Sequence, residues 1–375
     1  MVRKIYLFLA AFIVCGFFAV AQSSQGILKI TITDKKSKEA IPFANAMVLS
    51  GNVQIATGTA DFDGNIIIKP IAAGKYSVKV LYIGYQTILH RDVVIQTDKT
   101  TYLPTALTNE EGVQLDKIDV IEYKIPLIDK NTTSGGAVGR ETIVAMSDKS
   151  VNSIVSTQAG VYQQDAGKDI SIRGARPGST TYFVDGERMI GTKGLAQSSL
   201  EQVSVMLGGL PAQYGDVTGG VVSVTTRGPQ PKLFCGVEAI SSQLTDKYGY
   251  NFLGFSVGGP IIQKKDSAGN NQRPILGFFV GGEAVYHKDP SPWANGITQV
   301  NKETLAKLEA NPLQYNPLTG NYYLAGAYLN ANDFYTSKVR PNVSSKVFRL
   351  NPKIDFAPTP NLNITLGGSF DYNNT

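Results

Sequence analysis

From Gly26 to about Leu107 the chain alternates apolar and polar positions with a period of two. Leu28, Ile30 and Ile32 form one such run, and Tyr76, Val78, Val80 and Tyr82 another. That spacing puts one face of a strand in a core and the other in water. Turn signals at Pro42, residues 61–65 and Ala72-Ala73-Gly74 separate the runs. Short alternating strands punctuated this way predict a small Ig-like β-sandwich. The alternation then fades over 108–133, where Pro126 forbids a regular helix across it and residues 131–136 are Asn, Thr, Ser and Gly. One apolar island interrupts this linker, Ile118-Asp119-Val120-Ile121. An extended island of that kind suits pairing with another chain's sheet edge, where backbone bonds give affinity and alternate side chains give register.

The period changes again at residues 147–160. Val151, Ile154, Val155 and Ala159 fall on one helical face, Ser147 or Asp148 can cap the start, and Gly160 can end it. Short strands follow at 169–174, 181–186, 203–207 and 221–226, with glycine at nearly every corner, so a compact mixed α/β unit is expected. Beyond Pro229 the segments 252–258, 276–286, 346–356 and 361–372 alternate and carry aromatics, at roughly the length of a membrane strand. Residues 289–341 are polar and rich in Asn and Tyr, which suits long loops with room for another strand. The fold class expected is mainly β: a sandwich, a small α/β unit and an incomplete antiparallel barrel.

The N-terminus adds a location. Arg3 and Lys4 precede an apolar run from Ile5 to Val20, and Ala19-Val20-Ala21 offers a small-x-small cleavage site before Gln22. This pattern predicts a removed export signal over 1–21. An uncleaved anchor would need a longer run, and lipidation at Cys15 would need a small residue where Val14 stands. Without the signal Cys235 is the only cysteine, which excludes an internal disulfide. No later stretch approaches about 18 consecutive apolar residues, so a membrane route for this chain would be a closed barrel.

Composition and charge remove several function classes. A net charge of +5 with no basic, aromatic-interleaved cluster gives no reason to expect nucleic acid. A zinc peptidase would need a His-x-x-Glu pair and a second His, yet His90 is followed three on by Val93 and His287 by Pro290. Gly-x-Ser-x-Gly is missing. Asp61 and Asp63 lack the order of a calcium loop and read better as a tight hairpin turn. The glycines at 135–139 fit neither a P-loop nor a dinucleotide fingerprint. No cofactor, metal or catalytic residue is expected.

Ordered motifs then point to a family. Residues 22–107 resemble a carboxypeptidase-regulatory-like domain through residues 41–46, 57–64, Gly74-Lys75-Tyr76 and Tyr82-Ile83-Gly84-Tyr85. Residues 134–229 resemble the plug of TonB-dependent receptors, through Ile172-Arg173-Gly174, Val184-Asp185-Gly186, residues 201–205, Tyr214-Gly215 and Gly219-Gly220 leading into 221–226. Ser204 stands where the family often has Glu. Gly174, Gly186 and Gly215 are read as backbone requirements at tight turns.

The resemblance implies that 108–133 is a linker whose island 118–121 is the TonB box. Residues 230–375 would then hold the first strands of an outer-membrane barrel. The residues after Pro229 supply roughly five or six strands, against about 22 in plugged transporters, so a truncated barrel is expected. It further implies residence in a Gram-negative outer membrane, with the N-terminal domain periplasmic. The implied function is TonB-driven import of a small-molecule, glycan or peptide ligand, with outer-membrane lipid around the barrel and TonB, with ExbB and ExbD, as periplasmic partner. Arg173 would pair with acidic groups of the barrel wall or else hold the plug's own loops. The extra N-terminal domain points towards glycan or peptide import under a surface lipoprotein lid. Adhesion, protein translocation and transmembrane signalling use the same architecture and remain open.

Overall fold

The computed structural model describes residues 25–109, 118–123, 131, 133–165, 167–191, 194–265, 271–359 and 362–374. The expected export signal and its cleavage site at Ala21-Gln22 lie outside the described residues.

Seven strands build the first unit: β1 (Gln25–Asp34), β2 (Asn45–Ser50), β3 (Val53–Thr59), β4 (Asn65–Ala72), β5 (Gly74–Leu81), β6 (Thr87–Ile95) and β7 (Thr100–Leu107). One sheet has the order β4-β1-β7, with β7 parallel to β1; the other runs β3-β2-β5-β6. On β1 every second residue is buried, and Leu28, Ile30 and Ile32 meet Val48, Val78, Val80, Val93 and Ile95 of the facing sheet. Each such side chain contributes roughly 1.5–3 kcal/mol on burial, so the alternation fixes which face turns inward. The Asp61 turn is not a hairpin, because β3 and β4 belong to different sheets. It is a corner where the chain changes layers. The Asp61 carboxylate accepts from Asp63 N–H at 3.0 Å and Asn65 N–H at 2.8 Å, which explains the residue without an ion.

The island in the linker is a strand, β8 (Ile118–Glu122), lying parallel to β6 as the fifth strand of that sheet.

The second unit contains β9 (Ala137–Gly139), helix α1 (Arg140–Ala145), helix α2 (Val151–Ser156), β10 (Val161–Gln163), β11 (Ile170–Ile172), β12 (Thr181–Val184), β13 (Glu187–Met189), β14 (Leu200–Met206) and β15 (Val221–Thr226). Its main sheet has the order β13-β12-β15-β14-β9, with only the β12–β15 pair parallel. The helix expected over 147–160 is confined to α2. Ser150, not Ser147 or Asp148, caps it by accepting from Ser153 N–H at 3.3 Å. Asp148 lies outside the helix and accepts from Ser150 N–H at 2.9 Å. At the other end Ser156 and Thr157 bond back to the carbonyls of Ser153 and Ile154, at 2.8 and 2.7 Å. Such local bonds compete with helix propagation.

The third unit is an antiparallel sheet of β16 (Phe234–Ser241), β17 (Tyr250–Lys265), β18 (Asn271–His287), β23 (Ser345–Thr359), β24 (Leu362–Gly367) and β25 (Phe370–Asn374), the last two both pairing with β23. The segment expected over 361–372 is split into β24 and β25 at Gly367-Gly368. Between β18 and β23 lies a long loop holding β19 (Ile297–Val300), helix α3 (Lys302–Ala310), the hairpin β20 (Leu313–Asn316) and β21 (Asn321–Leu324), and β22 (Phe334–Ser337). Buried Asp289 closes its base by accepting from Arg340 Nη2 at 2.8 Å and from Arg340 N–H at 2.9 Å.

Candidate functional site

Within β8 all five side chains are exposed, Ile118, Val120 and Ile121 at 47, 52 and 43%. Apolar side chains left in water on a strand need a reason, because an edge strand is a template for pairing. The strand is held by its backbone: Ile118 stands opposite Thr87, Val120 opposite Leu89 and Ile121 opposite His90. Tyr123 N–H, one residue on, bonds the Arg91 carbonyl at 2.9 Å, and its ring packs on the sandwich core.

The plug motifs gather at turns and at one close approach. Arg173 and Gly174 take φ of 50° and 79°, and Asp185 and Gly186 take 49° and 91°. Two consecutive positive φ values between β12 and β13 make the two-residue loop that a tight hairpin demands. Gly215 differs. It has no positive φ, and a Cβ there would meet nothing within 4 Å, so the expected backbone requirement is absent at this glycine. Gly219 and Gly220 are constrained by space. A Cβ on Gly219 would sit 2.1 Å from Ser179 Oγ, and one on Gly220 2.9 Å from Ile172 Cδ1. Ile172 is buried, which is how this motif residue and the Gly219-Gly220 pair come together. Arg173 donates to Ser134 Oγ at 3.0 Å, a bond within the plug unit.

Asp185 does more than turn the chain. Its carboxylate accepts from Thr226 N–H at 2.8 Å, from the Thr226 hydroxyl, and from Lys353 Nζ of β23 at 3.2 Å. Lys353 is one of several polar side chains on the inward face of the long sheet. Buried Glu283 accepts from Gln197 N–H at 2.8 Å and pairs with Arg349 at 2.5 Å. Asn351 accepts from Ala196 N–H at 2.7 Å and donates to the Gly194 carbonyl at 2.9 Å. Lys149, next to the α2 cap, pairs with Glu238 of β16. Sequence reasoning missed these wall residues. Their signal was a polar residue recurring at the inward parity of otherwise apolar strands, such as Glu283 between Gly281 and Val285.

Where the plug unit runs into β16, Arg227 lies 3.9 Å over the Phe234 ring and its Nε 3.4 Å from Glu201 Oε2. Burial pushes the Glu201 carboxyl up and the Arg227 guanidinium down to about 10. Ring and carboxylate together offset part of that desolvation.

The sandwich also touches the plug unit. Gln202 accepts from Thr97 N–H at 3.2 Å and donates to the Ile95 carbonyl at 3.3 Å; Thr97 and Thr225 share a hydroxyl bond of 2.8 Å; the Tyr214 hydroxyl donates to Asp98. Motif residue Tyr214 thus reaches between units, its ring edge-on to Phe183 at 4.8 Å. Among the described residues no group of three or more His, Cys, Asp or Glu could hold a metal.

Residues 128–222 match the TonB-dependent receptor plug domain. The chain is 23% identical over 316 residues to the TonB-dependent transporter Oar of Myxococcus xanthus, a match covering 74% of this chain and 28% of that protein. Among solved structures it is similar to the siderophore receptor PirA from Acinetobacter baumannii, with 16% identity, TM-score 0.41, and coverage of 63% of this chain and 31% of that one. It is also similar to the pyoverdine outer membrane receptor FpvA from Pseudomonas aeruginosa, with 11% identity, TM-score 0.40, and coverage of 64% and 28%. The chain therefore spans about a third or less of the length of these relatives. The plug match falls at the position of the ordered motifs, so residues 128–222 of this chain form a plug domain similar to that of TonB-dependent receptors.

Proposed function

We propose that the protein to which this chain belongs imports a scarce solute across the outer membrane, energised by TonB pulling at Ile118 to Ile121. TonB-dependent receptors are outer-membrane proteins of Gram-negative bacteria. The observation that carries the reading is β8: a strand with three apolar residues and every side chain exposed, just ahead of the matched plug region. Solute binding at the outer face loosens this segment, TonB with ExbB and ExbD applies force, and the plug shifts within the barrel. The N-terminal sandwich, like a carboxypeptidase-regulatory-like domain, would face the periplasm. Its presence favours a glycan or peptide ligand with a surface lipoprotein lid; the relatives PirA and FpvA take siderophores and pyoverdine by name.

The test is uptake by the full-length protein carrying Val120→Pro, against labelled glycans, peptides and iron chelates. Proline removes one backbone donor. Surface binding that persists while uptake stops supports import and names the ligand. Unchanged uptake places the box elsewhere. A second reading, signalling to a periplasmic partner, is favoured by the bonds from Thr97 and Asp98 to the plug unit. It would appear as a change in gene expression on ligand binding, abolished by Asp98→Ala.

A further inference from the structure

Parity in the β6–β8 ladder separates the two edges of the coupling segment. In a parallel pair each residue directs both its N–H and its C=O to one side, and successive residues alternate. Tyr123 N–H bonds the Arg91 carbonyl. Residues Asp119 and Ile121 therefore face β6, and Ile118, Val120 and Glu122 present their backbone groups to the opposite edge. That edge has no strand on it among the described residues, since β8 ends the order β3-β2-β5-β6-β8.

We infer that the N-terminal sandwich is a holder for the coupling segment. It keeps 118–122 as its fifth strand and presents the Ile118, Val120 and Glu122 edge to an extended strand of TonB, which adds as a sixth. The inference rests on the proposed role of 118–121 and gives the sandwich its own part in it. Capture and holding then do not compete for the same bonds, because the donors and acceptors used for each belong to different residues, and loosening by solute serves the pull that follows capture. The holder also prepays ordering: a strand already extended loses less conformational freedom on binding than a free linker. The exposed Ile118 and Val120 side chains supply apolar surface beside that edge.

The two parities make opposite predictions for proline, which an edge strand tolerates where its N–H faces away from the ladder. Amide exchange is measured on the full-length protein in membrane vesicles, and affinity is measured for the purified periplasmic domain of TonB. In the unsubstituted protein the amides of Asp119, Ile121 and Tyr123 exchange at least about tenfold more slowly than those of Val120 and Glu122. Val120→Pro keeps the Ile121 and Tyr123 protection and weakens TonB binding about tenfold or more. Ile121→Pro removes the protection, while TonB still binds the freed segment. Val120→Ala and Ile121→Ala separate loss of the donor from loss of the side chain.

Uniformly fast exchange across 118–123 overturns the holder even if TonB binds there. Alternating protection with TonB affinity indifferent to Val120→Pro overturns the box and, with it, the presented edge. Loss of protection on Val120→Pro overturns the parity assignment.

Discussion

His90 is buried in β6 directly opposite Ile121, with Nε2 3.0 Å from Thr105 Oγ1. Burial lowers its pKa from the ordinary value of 6.5. The unfolded chain therefore binds a proton more readily than the folded one. Stability from this residue is full above about pH 6.5 and falls as the pH drops from there towards the folded pKa. The protection factors of the amides over 87–95, corrected for the pH dependence of intrinsic exchange, should fall on that descent, and His90→Gln should flatten the dependence while keeping a partner for Thr105. In the sequence the residue fails as a metal ligand and reads as a surface or strand residue; it lies on a strand but is buried, since nothing local says that its neighbours will exclude water. Asp185 was read as part of a turn, which it is, but its partners Thr226 and Lys353 stand 41 and 168 residues away. Gly215 shows the opposite error: a motif glycine was given a backbone reason that its own φ does not supply.

At the scale of elements, the strands were legible wherever one face met a core and the other met water, as on β1. Three departures have physical causes. Helix α2 is short because hydroxyl groups beside it capture its last carbonyls. The 61–65 turn changes sheets, and topology of that kind leaves no local mark. Strand β16 escaped notice because Cys235, Gly236 and Glu238 dilute its alternation. The plug sheet is fastened to the long sheet through the loop after β13 and through the β12–β13 turn. Asp185→Ala would leave the Thr226 N–H and Lys353 Nζ without this acceptor, at a cost of about 2 kcal/mol. Gly220→Ala would drive a methyl against Ile172 at a φ of 113° and should cost about 1–3 kcal/mol. Both are read as faster amide exchange in 221–226 of the full-length protein. The glycine change should also loosen β11, which carries Ile172, whereas the aspartate change should not.

For the whole molecule, the register of the long sheet sorts its residues into two sets. Phe279, Glu283, Arg349, Asn351 and Lys353 share the face that meets the plug unit, and Glu238 and Ser256 lie on it too. Leu253, Tyr286, Phe348, Ile354 and Phe356 lie on the other face and are 39–51% exposed. A sheet with charge inside and aromatic and aliphatic surface outside is inverted relative to a water-soluble protein. It is stable where the outside is lipid and the inside is a polar filling. The sequence carried this as alternation, but alternation alone does not say which set faces the solvent; the plug contacts do. The inversion predicts a contrast between neighbours on one strand. Ile354→Arg puts a charge on the lipid face and should cost about 2–4 kcal/mol near the membrane midplane. Lys353→Arg keeps a charge on the inner face, within reach of Asp185, and should leave insertion unchanged. Heat-modifiable migration of the full-length protein in outer-membrane extracts reads both. A loss of the folded form for Ile354→Arg alone is the outcome expected of a barrel wall. Equal tolerance of the two would mean that the exposed apolar face meets water or protein instead of lipid.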